Sequence, residues 1–120
     1  SQAYLIENND NKVLYTGDLV WINKEYHSYF ENLDLVITEG SFIRKSGLVK
    51  KDKETGKIYG HRGIPGLINL FKRFTGTILL VHFGSWFYDS AKQSRKKLSV
   101  LGKENNVSII VGYDGLEIDI

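Results

Sequence analysis

Residues 64–84 read IPGLINLFKRFTGTILLVHFG, and this stretch decides the fold class. Its first half is amphipathic, because apolar side chains recur on one face of a 3.6-residue period at Ile64, Leu67, Ile68, Phe71 and Phe74. Pro65 suits the first turn of such a helix. Residues 77–81 then form a short apolar run, which is typical of a buried strand. A helix followed directly by a buried strand predicts an α/β fold with helices on the sheet.

The segments on either side continue this alternation. The other predicted strands are short and apolar, and they cover residues 3–7, 12–16, 33–37, 107–111 and 116–120. The polar residues 8–11 between the first two strands predict a hairpin. Two more helices are expected, a short one over residues 24–30 and a long one over residues 89–104. Residues 43–60 are polar and basic, and we expect a long surface loop there.

Composition is that of one globular domain. The chain has 120 residues, and its 42% hydrophobic and 25% charged content argues against global disorder. A net charge of +2 is too small to indicate nucleic-acid binding by itself. With no cysteine, any metal must be held by histidine and carboxylates. No apolar run approaches the ~18 residues of a membrane span and no leader is visible, so we expect a cytoplasmic protein without membrane contact.

Four predicted strands end in a polar residue close to glycine. These strand ends are Gly17-Asp18, Glu39-Gly40, His82-Phe83-Gly84 and Asp114-Gly115. Ligands of α/β sheets bind beyond the carboxyl ends of the strands, so a shared edge would offer three carboxylates and one imidazole to a metal. The alternative is that carboxylates beside glycine are turn residues, which backbone conformation alone favours. A histidine that follows a buried strand, such as His82, can equally be a satisfied core residue.

Two further features could meet an anion. His61 precedes a predicted helix, where a neutral imidazole could act as a general acid or base, and Arg62 could bind an anion with the helix end. Between Arg44 and Lys57 there are six Lys or Arg and two Asp or Glu, a local charge of +4 that could contact a phosphate backbone. The alternatives are an exposed loop histidine and a solvated charge run. His27 is interpreted as a solvent-exposed residue of a polar helix.

Five segments together resemble the second half of a metallo-β-lactamase-fold hydrolase, and the ribonuclease Z branch is the most similar. In the order and spacing of the family, they are Tyr15–Asp18, Leu33–Gly40, Gly60–His61, Leu80–Gly84 and Gly112–Ile118. The resemblance covers nearly the whole chain. It implies an αββα sandwich in which residues 1–120 are a single domain, the C-terminal half, with one mixed sheet and helices on its outer face.

The resemblance also implies roles for individual residues. Asp18 matches the aspartate that bridges two metals, and His82 matches the last histidine ligand, on one metal. His61 matches the histidine that assists departure of the leaving group, although Arg62 follows it where the branch usually has Ser or Thr. Glu39 and Asp114 match residues near the rim that are not ligands. The implied cofactor is zinc, two ions per complete site, with manganese or iron as alternatives.

The hallmark His-x-His-x-Asp-His motif of that family is absent. The three histidines stand at positions 27, 61 and 82, and no two of them are two residues apart. Because a catalytic zinc usually needs three protein ligands, Asp18 and His82 would form only part of a metal site. We therefore expect the chain to be a fragment of a longer or divided protein.

The implied function is metal-dependent hydrolysis of phosphodiesters by a metal-bound hydroxide, as in an RNA- or DNA-processing nuclease. The isolated chain is expected to be inactive. The alternative is a non-catalytic half-domain that self-associates as a structural or binding module. Because half a sandwich would expose one apolar sheet face, the expected partner is the missing N-terminal half or a second copy, forming a homo-oligomer. RNA, DNA or another anionic substrate is the expected ligand.

Overall fold

In the described part of the chain, five strands precede the first α-helix, and helices and strands are interspersed after it. The computed structural model describes residues 3–16, 27–28, 30–41, 43, 48–51, 58–61 and 63–118. Its elements are β1 Tyr4–Glu7, β2 Lys12–Tyr15, β3 Leu35–Glu39, β4 Leu48–Lys51, β5 Ile58–His61, α1 Ile64–Phe71, β6 Thr77–Val81, α2 Ser85–Tyr88, α3 Ala91–Glu104 and β7 Ser108–Val111.

One mixed sheet of five strands organises the fold, in the order β1-β2-β3-β6-β7. The hairpin of β1 and β2 is antiparallel, and β2, β3, β6 and β7 all run parallel. Asn8 closes the hairpin turn, because its side-chain oxygen accepts hydrogen bonds from the backbone N–H groups of Asp10 (2.9 Å) and Asn11 (2.8 Å). The predicted α/β class and the predicted hairpin are confirmed.

The helices pack on one face of this sheet. One row of registered residues on that face is Leu14, Val36, Ile78 and Ile109. These side chains contact the apolar residues of α1 and Leu98 of α3, which form one core. Every apolar residue predicted for the inner face of α1 is at most 4% exposed. The helical face read from residues 64–74 is therefore the core face, as its periodicity predicts.

The opposite face is less covered. Side chains alternate along a strand, so Leu35 and Leu79 point away from the helices and lie outside the helix-side core, yet both are buried. On the same side, Tyr4 and Ile6 of β1 are 55% and 60% exposed. The sheet thus has one face buried under helices and a second apolar face that is partly open in the described structure.

The expected loop over residues 43–60 is wrong, because β4 and β5 pair there as an antiparallel ladder from Leu48↔His61 to Lys51↔Ile58. Their Leu, Val, Ile and Tyr residues favour strands, and the basic side chains between them obscured this pattern. Residues 52–57 lie outside the described part.

The final strand expected over residues 116–120 is also wrong for residues 116–118, which are not in a strand. Gly115 has a φ of +85° and the backbone N–H of Leu116 donates to the Tyr113 carbonyl (3.0 Å). After this turn, residues 116–118 do not pair as a strand. Residues 119–120 lie outside the described part.

Smaller differences concern where helices begin. The helix expected over residues 89–104 begins at Ala91, and a separate four-residue helix, α2, precedes it. Residues 27, 28 and 30 are in a 3₁₀ turn, whereas residues 24–26 and 29 lie outside the described part. Within the described ranges, no helix is both long and apolar enough to cross a membrane.

Candidate functional site

The parallel strands bring their carboxyl ends to one edge of the sheet. Glu39 of β3 pairs with Val81 of β6, and Leu80 pairs with Val111 of β7. The segments that follow these strands, including His82 and Asp114, therefore start along a common edge. This edge was predicted from the four strand ends. Asp18, which follows β2, lies outside the described residues.

Hydrogen bonds connect the segment after β3 to the segment after β6. Gly40 N–H donates to the Val81 carbonyl (2.7 Å), and the Gly40 carbonyl accepts from the Trp86 indole N–H (2.9 Å). Longer bonds of 3.4 Å join Gly84 N–H to the Gly40 carbonyl and the Ser41 hydroxyl to the His82 carbonyl. The backbone around His82 is therefore fixed from both sides.

Glycine at position 84 is required by this close approach. A Cβ there would lie 2.2 Å from the Ser41 carbonyl oxygen, which is a backbone atom and cannot rotate away. The glycine beside the strand-end histidine is thus explained by packing of two loops, and not by a ligand that it must accommodate.

His82 itself has an unusual backbone conformation. Its φ is +54°, in the left-handed region, and its side chain is exposed. The interpretation of His82 as a satisfied core histidine is therefore wrong, since the segment after β6 turns the imidazole outward. Non-glycine residues seldom adopt positive φ, although Asn, Asp and His do so more often than others. Strained residues that are held in place by their surroundings concentrate at functional sites.

A cavity of about 520 Å³ opens beside His82. Its walls come from the end of β6, from α2 and α3, and from the segment that follows β7. Its lining combines four aromatic residues with three polar ones, namely Phe83, Phe87, Tyr88, Tyr113, His82, Arg95 and Asp114. Of the candidate residues at the strand ends, His82 and Asp114 are brought together at this cavity.

The aromatic wall of the cavity is tightly packed. The rings of Phe83 and Phe87 stack with centroids 4.3 Å apart, and Trp86 meets Phe87 edge to face at 5.7 Å. The Arg95 guanidinium carbon lies 5.7 Å from the centre of the Phe87 ring. Neither the sequence motifs nor the strand-end rule indicated this wall, although four aromatic residues within positions 83–88 are a local signal for it.

The two other histidines lie elsewhere in the fold. His61 ends β5 and pairs with Leu48 in the two-stranded sheet, so it is a strand residue and not a loop histidine. His27 was expected in solvent but is half-buried, because its ring lies edge to face against Phe74 with centroids 5.0 Å apart. Glu39, at the end of β3, is also half-buried.

A complete metal centre does not arise from the described residues alone. Among them, no three His, Asp or Glu side chains are grouped so that they could hold a metal ion. Of the two ligands implied by the resemblance, His82 is exposed at the sheet edge and Asp18 lies outside the described residues. The zinc site stays a prediction, and its remaining ligands would have to come from outside the described residues.

Comparisons of this chain with protein-family models, with curated proteins and with solved structures found no match. The metallo-β-lactamase resemblance rests on the five sequence segments named above.

Proposed function

We propose that this chain supplies part of the active site of a metal-dependent hydrolase that cleaves phosphodiesters such as RNA or DNA. The observation that best supports this proposal is the state of His82. Its imidazole is exposed at the carboxyl edge of parallel strands and on the wall of a cavity, and its backbone has a costly left-handed conformation. Glycine would adopt this conformation without steric cost, so the presence of histidine favours a role for its side chain.

Asp18 and His82 are the proposed metal ligands, with zinc as the proposed ion and manganese or iron as alternatives. The bound metal would supply an activated water at neutral pH. His61 is proposed to protonate or orient the leaving group, a role that the side chain can perform at ordinary pH. Because two protein ligands are too few for catalytic zinc, we propose that the isolated chain is inactive and gains the other ligands from a second polypeptide segment.

The partly open sheet face supports the half-sandwich architecture that we propose along with this function. Ile6 and Tyr4 on that face are more than half exposed, although Leu35 and Leu79 on it are buried. Two sheets that pack face to face would bury such a surface. The proposed partner is either the missing N-terminal half or a second copy of this chain.

Metal titration tests the proposal. The chain, stripped with chelator and dialysed, is titrated with zinc by calorimetry, and the bound metal is counted by elemental analysis. We expect zinc binding that weakens by at least about tenfold in Asp18→Ala and in His82→Ala, because each substitution removes a ligand. Asp10→Ala is the matched control, since Asp10 is an exposed turn residue outside the strand-end edge.

Zinc binding that is equally strong in all variants would contradict the proposed ligands. If the chain binds no zinc and has no nuclease or esterase activity with added zinc or manganese, the second candidate function applies. That candidate is a non-catalytic half-domain that self-associates through the open sheet face. Light scattering behind size-exclusion chromatography would then show a dimer that Ile6→Lys converts to monomer.

A further inference from the structure

We propose that the cavity beside His82 binds one nucleotide unit, with the base stacked on its tyrosines and the phosphate held by Arg95. The inference rests on the proposed function for its substrate class, since a nucleic acid would be the source of this unit. It goes further in naming the residues that bind the nucleotide, none of which the metal site uses.

The size and the walls of the cavity suit such a ligand. Its volume of about 520 Å³ lies within the roughly 300–1,000 Å³ typical of small-molecule sites. Leu79 and Val81 line it together with the packed rings of Phe83 and Phe87. Apolar and aromatic walls with a few polar groups are the usual composition of a site for a planar organic ring.

Two tyrosines supply stacking surfaces at this cavity. Tyr88 of α2 is 69% exposed, and Tyr113 after β7 is 63% exposed. They come from different elements, yet both line the same cavity. Exposed aromatic rings at a cavity offer faces on which nucleobases stack without dependence on base identity. The tyrosines therefore favour a base-bearing ligand, of either purine or pyrimidine type.

Arg95 and Asp114 distinguish a nucleotide from a bare anion. Within the described part of the chain, Arg95 contacts the Phe87 ring and has no carboxylate partner, so its guanidinium fork is available for phosphate. Asp114 lines the same cavity, and an ionised carboxylate only accepts hydrogen bonds. It would repel inorganic phosphate but can accept from a ribose hydroxyl or a base amino group. A ligand with both an anion and N–H or O–H donors satisfies both residues.

Binding is measured by calorimetry on the full 120-residue chain in chelator, with adenosine monophosphate, uridine monophosphate, adenosine and inorganic phosphate as probes. We expect both monophosphates to bind, and to bind at least about tenfold more tightly than phosphate. Tyr113→Ala and Tyr88→Ala should each weaken this binding about tenfold through lost stacking, whereas the corresponding Phe variants retain it. Arg95→Ala should reduce affinity for the monophosphate to that for adenosine.

Tyr4→Ala is the matched control, because Tyr4 is a third exposed tyrosine and does not line the cavity. Thermal melts of every variant establish that it is folded. The inference is overturned if the monophosphates bind no more tightly than phosphate, or if Tyr113→Ala and Arg95→Ala bind as the parent chain does. Because no metal is present, this failure is separate from failure of zinc binding, which would count against the proposed hydrolase instead.

Discussion

Replacing His82 by glycine should make the protein more stable than replacing it by alanine. At a φ of +54°, an L residue carries a conformational cost of about 1–2 kcal/mol. Glycine has no such cost, but the greater conformational entropy of its unfolded chain lowers the free energy of unfolding by roughly 0.5–1 kcal/mol. Since the imidazole is exposed, neither substitution leaves a core cavity. The net advantage of His82→Gly over His82→Ala is therefore roughly 0.5–1 kcal/mol in the free energy of unfolding.

Thermal unfolding followed by circular dichroism measures this difference, in chelator so that metal binding does not contribute. For a domain of this size, the advantage corresponds to roughly 2–5 °C in the melting temperature. Lys97 is the control position, because it is exposed in the middle of α3. At this position Lys97→Ala must be more stable than Lys97→Gly, since glycine is about 1 kcal/mol less favourable than alanine inside a helix.

Equal melting temperatures for His82→Gly and His82→Ala would refute the argument that this residue is held in a strained conformation. The principal structural support for a functional His82 would then be lost. If His82→Gly is more stable than His82→Ala and also loses zinc binding, the histidine is retained at a cost in stability, as expected for a functional residue.

Two other substitutions test the contact between the two strand-end segments. Gly84→Ala should destabilise the protein by about 2–4 kcal/mol in urea unfolding, because its Cβ would overlap the Ser41 carbonyl. Gly76→Ala, with no atom within 4 Å of the new Cβ, should change stability by less than about 1 kcal/mol, and a similar loss at both positions would contradict the contact. Trp86→Phe should cost about 1 kcal/mol because it leaves the Gly40 carbonyl without its indole donor, whereas an unchanged unfolding midpoint would show that this bond is dispensable.

The sequence predicted well those elements whose signal is local. The strand over residues 77–81 has the expected bounds because it is an apolar run. The helix begins at Ile64 as its periodicity predicts, but it ends at Phe71, before the last apolar residue of the predicted face, Phe74. The hairpin of β1 and β2 followed from its Asn-rich turn. By contrast, β4 and β5 stabilise each other by pairing. The local sequence of each short, partly polar strand does not reveal that it has a pairing partner.

The candidate site was predictable only in part, for a similar reason. The common edge follows from parallel strand order, so His82 and Asp114 could be placed on it from their strand-end positions. The cavity could not be predicted, because it depends on where α2 and α3 lie relative to the segments that follow β6 and β7. The exposure of His82 could not be predicted either, because it depends on the backbone angle at this residue.

Free energies explain how this angle is maintained. The left-handed conformation of His82 costs about 1–2 kcal/mol, whereas a typical hydrogen bond contributes about 0.5–1.5 kcal/mol. The two short bonds of Gly40, to Val81 and to Trp86, are together sufficient to offset that cost. The angle at His82 is therefore set by the neighbouring segment and not by the imidazole. It follows that His82→Ala should keep the backbone path of this segment. Trp86→Phe should loosen the segment, although the histidine itself is not substituted.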